Sequence, residues 1–366
     1  MNSPGALWRY ILADVLTDQV LHPALPLQDV EFGPQLCGPG ALRAQLAPRF
    51  VRAQPELLQN GPTVVYAERA GQIHDGYLLW RAEPEGEVFR VEGAGWPSYL
   101  THRYDLHGEL NGRGPYVGAD PCRIIRDVWA YSREAADGDI GVLVDETSSP
   151  ARVGTAEQPI TYPWWSPQRL GEIIDTHVQA ADHPEYTHTV DVGPGGRPVR
   201  RVPLAYPRLG RRRFDISFAT GVNIVEDPRI AYDYDAYANT VIGLGAGEGT
   251  LAVRSVDSVR DGRLRLESVL ARTDVSDKGL LDSLTRTARV GRQQLGTVDQ
   301  IVVRDHPAAP ALSWQIGDDV RITVHGRWTD VDSWMRITGW TVRPASDTYL
   351  IDLEPSGSFT YGSTVG

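Results

Sequence analysis

Three side chains are scarce in this chain. Of its 366 residues only two are cysteine (Cys37 and Cys122), two are methionine and one, Lys278, is lysine. The cysteines stand far apart and in no metal or redox spacing, which excludes a thiolate zinc site and a C-x-x-C redox motif. Two free thiols made in a reducing compartment are expected. Long apolar runs are missing too. Nothing approaches the roughly 20 apolar residues of a membrane-crossing helix, so no membrane insertion is expected. The N-terminal apolar stretch has no basic lead and is interrupted by Arg9 and Asp14, so it does not read as a signal peptide. Positive charge is in deficit: 36 Lys and Arg face 47 Asp and Glu, a net charge of −11 dispersed with no acidic tail. That balance lacks the basic face needed to displace counterions from phosphate. It argues against a nucleic-acid grip, though not against a protein that DNA merely passes.

Aromatics and turn formers are abundant instead, with 10 Trp, 15 Tyr, 37 Gly and 26 Pro, as expected of many short aromatic-bearing strands. The apolar share of 41 % is that of an ordinary soluble globular protein, and the length suffices for two or three domains. The first hundred residues read as strands and turns. WRYILADVLTDQVLHPAL is a hairpin around Thr17-Asp18-Gln19, and QLCGPGALRAQL breaks at Gly38-Pro39-Gly40. Further turns fall at Ala70-Gly71 and Glu85-Gly86. Such spacing suggests a sandwich or barrel.

From about 119 the pattern becomes helical. In ADPCRIIRDVWAYSRE, Asp120 caps, Pro121 opens, and Ile124, Ile125, Val128 and Trp129 form an apolar stripe. In WWSPQRLGEIIDTHVQA, Ser166 is the expected cap, Pro167 the first helical residue, and Leu170, Ile173, Ile174, His177 and Val178 share a face. Strands return after about 185; Asp261-Gly262 reads as a hairpin turn, and one more helix is expected over about 276–295.

No motif carries catalysis. In VIGLGAGEGT the dinucleotide fingerprint needs a glycine where Glu248 stands, no helix pattern follows, and no P-loop lysine is present; a strand lying close to another backbone is the structural alternative. HPEYTH groups His183, Glu185 and His188 at the wrong spacing for a zinc helix. His177 reads as a satisfied core or interface histidine. The acidic loop EDPRIAYDYDAYANT (Glu226, Asp227, Asp233, Asp235) lacks the calcium-loop pattern and reads as solvated. Arg211–Arg213 reads as an exposed strand edge guarded by charge. No nucleophile elbow exists and no cysteine has a nearby histidine. No catalytic, cofactor-binding or metal-binding residue is therefore assigned.

The stretch WQIGDDVRITVHGRWTDVDSWMRITGWTV, with TYLIDLEP after it, alternates as a three-stranded meander: Val320, Ile322, Val324, then Met335, Ile337, Gly339, then Tyr349, Ile351, Leu353 on the buried face. Asp318 and Asp319 beside Gly317 read as turn residues rather than a catalytic pair. The outward tryptophans Trp334 and Trp340, with Trp328, are the candidate interface residues, since such aromatics are enriched in buried contacts.

The succession goes further than any one motif. DPCRIIRDVW, WSPQRLGEIID, ANTVIGLGAGEG, LLDSLTRTARVGRQQL, GDDVRITV, WMRITGWTV and DTYLIDLEP, in that order, resemble the tail-hub protein of long-tailed bacteriophages, often labelled a minor tail protein and similar to the baseplate hub of contractile tails. The resemblance spans nearly the whole chain. It implies a mainly β fold with inserted helices: two tube-like antiparallel β-barrel domains (1–118 and 223–354, the second with one helix), a smaller inserted α/β region with two helices (119–222) and a flexible tail (355–366). It implies a homotrimer at the virion's tail tip, made in the host cytoplasm. A distal tail ring would lie above, a fibre, spike or tip protein below, and the tape-measure protein's end in the lumen. DNA would pass through the channel without specific binding, past acidic groups that repel phosphate. No cofactor and no shared catalytic residues come with the family. The competing readings are another tail-tip component or carbohydrate-binding receptor module, and a glycosidase using Asp233, Asp235 or Asp318.

Overall fold

The computed structural model describes residues 8–58, 63–178, 184–232, 234–273, 275, 278–293, 295–327 and 330–356. Trp328, Asp233, His183 and the tail from residue 357 lie outside them. The fold is mainly β with inserted helices, as expected. It divides into two compact units, each made of three chain segments. The first runs up to Gly210 and adds Gln315–Gly317 and Thr338–Ile351; the second holds Arg211–Trp314, Asp318–Ile337 and the residues from Asp352.

In the first unit, strands β1 (Trp8–Asp14), β2 (Gln28–Gln35), β3 (Gly38–Leu46), β4 (Thr63–Arg69), β5 (Gln72–Glu85) and β6 (Val88–Ala94) form one antiparallel sheet. The hydrogen-bonded order is Val20–His22, β1, β4, β5, β6, β3, β2 and then residues 338–343. The expected β1 hairpin forms, its turn held by Asp14 Oδ1, which accepts from Leu16 N and from Thr17 N and hydroxyl. Ala70 and Gly71 both take positive φ, as a two-residue hairpin requires. One turn moves. The break between β2 and β3 falls at Leu36-Cys37, with Cys37 at φ 48°, and Gly38-Pro39-Gly40 is already strand.

Strand β4 is buried on both faces, which its apolar run TVVYA permits. On one face Val65 and Ala67 join Tyr10, Leu12 and Tyr77. There Phe32 of β2 meets Trp8 of β1 edge-to-face at 4.9 Å and Tyr77 at 6.0 Å, although β1 and β2 are not hydrogen-bonded neighbours. The sheet is therefore curled around Phe32. On the other face Val64, Tyr66, Ala13 and Leu78 pack with the inserted helical region in one core. Gly76 makes that contact possible: a Cβ there would come within 2.6 Å of the Trp96 ring.

Helix α1 (Pro121–Ser132) starts as its sequence dictates, with the Asp120 carboxylate accepting from Cys122 N, and Ile124, Ile125, Val128 and Trp129 are buried. Strand β7 (Val142–Val144) follows. Helix α2 (Leu170–Val178) starts later than Pro167 because the backbone before it is already committed: Asp105 N donates to Gln168 O and Leu170 N to Arg103 O. His177 is satisfied by the Tyr162 hydroxyl at 2.9 Å, as a core histidine. Strands β8 (Thr189–Val192) and β9 (Pro198–Val202) complete a small sheet, β9 lying antiparallel to β8 and parallel to β7. From β9, Arg200 reaches into the core, 4 % exposed. It donates to the Tyr66 hydroxyl at 3.0 Å and to the carbonyls of Val15 at 3.0 Å and Ile140 at 2.5 Å. It also pairs with Asp18 and lies over the Trp96 ring at 5.5 Å.

In the second unit, β10 (Arg212–Ala219) precedes an α/β module: β11 (Thr240–Leu244), β12 (Arg254–Ser258), β13 (Glu267–Ala271) and helix α3 (Lys278–Arg292). The expected hairpin at Asp261-Gly262 is not there. β11 lies in the middle, antiparallel to β12 and parallel to β13, so residues 259–266 bridge across it instead of turning back. Asp261 is occupied otherwise, bonding Tyr237 and Asn239. The glycines of VIGLGAGEGT serve packing: a Cβ on Gly243 would meet Thr285 Oγ1 of α3 at 2.2 Å. Strands β14 (Asp319–His325), β15 (Asp330–Arg343) and β16 (Thr348–Pro355) make the expected meander; β14 belongs to the second unit, and Thr338–Ile351 of β15 and β16 to the first. β10 pairs parallel with β14, and β14 antiparallel with β15 over Asp330–Arg336.

Two stability tests follow. Removing the Arg200 side chain leaves buried carbonyls and a hydroxyl without their donor, so Arg200→Ala should cost about 3 kcal/mol in urea denaturation. Arg200→Lys should recover less than half, because an ammonium cannot reach the same acceptors. Burial also pushes the Tyr66 hydroxyl up to about 12 and the Cys122 thiol up to about 12, the latter helped by Asp120. The folded chain keeps these protons where the unfolded chain, with ordinary values near 10 and 9, releases them. Stability should therefore hold up to about pH 9 and fall between about pH 9 and 12, read as a dropping urea midpoint.

Candidate interface surfaces

The interface candidate Trp334 stands on a lock of buried charge in the second unit. Asp318 and Asp319 are 1 % and 0 % exposed, not turn residues in water. Asp318 Oδ1 accepts from Arg211 N at 3.0 Å and Oδ2 from Arg213 Nη1 at 3.0 Å. Asp319 accepts from the Ser356 hydroxyl at 2.5 Å, and an Arg212 nitrogen lies 3.8 Å away. Arg213 is likewise buried rather than an exposed edge guard. Its guanidinium also grips Asp215 through two bonds, at 2.9 and 2.8 Å, and reaches Ser313 O at 2.9 Å. Asp215, gripped by Arg213, is drawn down to about 2. Asp318 is thus met by the Arg211 backbone N–H and the Arg213 guanidinium, and Asp319 by the Ser356 hydroxyl, which is how ionic groups survive burial.

Above the lock, the Arg212 guanidinium lies 4.8 Å over the Trp334 ring, and Phe214 meets that ring at 5.3 Å and 73°. Arg321, opposite Trp334 in the ladder, pairs with Asp332 at 2.8 and 2.7 Å. Trp334 is half-buried by these neighbours; Phe214 is 83 % exposed and supplies the open apolar area. Sequence reasoning missed Phe214, because simple alternation puts it inward with Ile216 and Phe218. A register break between Arg212 and Ser217 turns it out. Trp340 lies in the first unit, half-buried, its backbone carbonyl so close to Gly33 that a Cβ there would sit 1.7 Å away.

A second surface in the first unit was not read from the sequence. Trp164 and Trp165 are 65 % and 72 % exposed, and Leu106 is 72 % exposed. The two indoles stand at 87° with centroids 5.8 Å apart. Their loop is clamped: Glu109 N donates to Tyr162 O at 2.7 Å, and the Asp105 carboxylate accepts from Gly108 N and Leu110 N. Gly108, at φ 79°, backs directly onto Trp164 N. The signal was present in PWWSPQ: two prolines around a Trp pair mark a rigid turn, not a helix start.

The remaining motifs come apart. Glu185 accepts from Leu209 N at 2.7 Å, whereas His188 is fully buried with Nε2 3.1 Å from Asp75. That contact is poorly aligned, and neither ring nitrogen has a hydrogen-bond partner in good geometry. Among the described residues no three His, Cys, Asp or Glu are grouped to hold a metal ion. Glu226, Asp227 and Asp235 are exposed, as a solvated loop.

No protein-family profile matches the chain, and no curated protein matches its sequence. Solved structures do match its fold. The 43 kDa tail protein of prophage MuSo2 from Shewanella oneidensis superposes with a TM-score of 0.57 at 12 % identity, over 95 % of this chain and 98 % of that one. A tail protein from Neisseria meningitidis gives 0.56 at 12 % identity, over 95 % and 96 %. Prophage tail protein gp18 from Listeria monocytogenes gives 0.53 at 9 % identity, over 97 % and 95 %. The chain has the fold of these phage tail proteins along nearly its whole length.

The lock and the surface above it should separate by mutation. Asp318→Ala leaves Arg213 with the exposed Asp215 as its one counter-charge beside the Ser313 carbonyl, and should cost about 2–4 kcal/mol in urea. Phe214→Ser removes only an exposed ring and should change the isolated chain's stability by less than about 0.5 kcal/mol.

Proposed function

We propose that the protein is a structural component of a phage tail: a trimeric hub at the distal end, joining the tube or its distal ring to a fibre, spike or tip protein, with the tape-measure end in its lumen. The single observation that carries this reading is the reciprocal coverage. Three tail proteins from three bacteria, two of them prophage proteins, share the fold over 95–98 % of both chains, so the likeness is one of whole architecture and not of a borrowed module. Two further features support it. The outer aromatics, Phe214 beside Trp334 and the Trp164–Trp165 pair, stand ring against ring, and such side chains are enriched where protein contacts form. The surplus of carboxylates suits a channel that DNA must pass without sticking. In this reading Trp334 and Trp340 belong to subunit or ring contacts, and closed rings bury what single subunits leave open.

The glycosidase reading loses one of its aspartates, since Asp318 faces Arg213 inside the unit. The receptor-module reading keeps one favourable observation, the exposed indole pair, because ring faces in water are what a sugar stacks on. Immunogold labelling of intact virions, with the solution mass of the purified chain, separates the readings. The hub reading expects label at the distal tail end and a trimer with an open centre in negative stain. Label along the shaft or at the head end overturns the hub position. Phe214→Ser and Trp334→Ala should lower the trimer's association at least about tenfold if these rings lie in the contact.

A further inference from the structure

The first unit holds a cavity of about 370 Å³ between the turn after β1, strand β5 and the segment that follows α1. That is the size of a small-ligand or side-chain pocket. Leu78 and Ile140 form its floor, 1 % and 5 % exposed, and offer no hydrogen bond. Trp80 and Tyr99 form its walls, and their polar tips are already spent. The indole N–H donates to the Ser98 hydroxyl at 2.7 Å, and the Tyr99 hydroxyl donates to Gly138 O at 3.1 Å while accepting from Arg103. His102 stacks on Trp80 at 4.2 Å and closes one side. What remains toward the cavity is aromatic and aliphatic surface, apart from the ring nitrogens of His102.

The mouth is different. Asp14 and Asp137 stand there, and no lysine or arginine lines the site. Asp14 is fixed by its three bonds on Oδ1, and the Thr17 bonds hold its carboxyl below the usual range, so it stays charged. Among the described residues neither carboxylate has a cation within ion-pair distance, and the Asp137 side chain has no hydrogen bond. Two arginines lie behind the wall with their donors engaged: Arg200 bonds the Val15 and Ile140 carbonyls and pairs with Asp18, and Arg103 bonds Ser132 O and covers one face of the Tyr99 ring at 5.2 Å, which leaves the Trp80 indole as the principal stacking wall.

We infer that this cavity is a socket for an arginine side chain carried by an apolar-flanked segment of a partner polypeptide. The chemistry selects that occupant. An anion meets two carboxylates and no cation in the lining, and a neutral sugar finds only the His102 ring to bond beside an apolar floor. A lysine ammonium fits the mouth but cannot lie flat on an aromatic wall. A guanidinium stacks on an indole or phenol face, takes a carboxylate through two parallel bonds, and brings a methylene stem for the apolar floor. The net charge of −11 favours the approach of such a segment. The inference does not depend on the tail role.

The test is a titration of the intact chain with acetyl-Leu-Arg-Leu-amide and its citrulline counterpart, followed by calorimetry and by the Trp80 indole N–H signal in NMR. The arginine peptide should bind saturably and shift that signal. The citrulline peptide, isosteric but neutral, should bind at least about tenfold more weakly, the equivalent of about 1.4 kcal/mol. Asp137→Asn, at an exposed position without partners, should weaken the arginine peptide about threefold or more and flatten its salt dependence. Equal binding of the two peptides, no saturable binding, or binding that leaves the Trp80 signal unmoved overturns the socket.

Discussion

The buried guanidinium of Arg200 is the constraint on which the first unit depends. It comes from β9, far along the chain, and bonds a tyrosine in β4, a carbonyl and an aspartate in the β1 turn, and a carbonyl after α1. A cation so deep is tolerable only because its N–H groups find acceptors, an indole covers its face, and Asp18 at the surface supplies the counter-charge. The cost of an unmet bond is higher there than in water, so the four segments must arrive together. Apolar burial alone could slide the inserted region over the sheet; fixed bonds to named carbonyls set its register. Gly76 and Trp96 then complete the fit, and His188 fills the neighbouring space against Gly40 and Gly95, where a Cβ would meet its ring.

Arginine does the same work in the second unit. Arg213 holds Asp318 and Asp215, Arg289 of α3 holds Asp257 of β12, and the flat guanidinium of Arg212 supports an indole from outside. A lysine would meet one partner at each place where arginine meets two or three. At these few buried places the choice of arginine over lysine follows from its fork of donors.

What was legible in the sequence follows from range. Helix α1 was readable to the residue because its cap, its opening proline and its stripe are local signals. The closing meander was readable because alternation holds without a break over Val320–Val324 and Met335–Gly339. Where the determinant was distant, local reading failed. Asp318 and Asp319 beside a glycine look like a turn until the arginines a hundred residues earlier are brought against them. Asp261-Gly262 looks like a hairpin because nothing local says that β11 will lie between the flanking strands. Phe214 is out of phase only because of the register break in β10. The first unit is also completed by segments that return from the far end of the chain, and no composition shift marks those returns.

The same distinction explains which charges are left to act at a distance. Where an arginine is tied to an aspartate inside a unit, the pair contributes little field outside it. The chain has eleven more carboxylates than cations, and those without a partner, such as Asp137 at the cavity mouth and Glu226 and Asp227 on their loop, stand in water. The interior is thus locked by balanced ionic ties, while the exterior mixes exposed cations such as Arg81, Arg123 and Arg265 with a surplus of carboxylates. A surface of that kind repels polyphosphate and other acidic surfaces, and it leaves aromatic patches as the places where contact is favourable. Selectivity for a neighbour then needs little more than an apolar patch with positive charge beside it, because electrostatic repulsion already disfavours most other approaches.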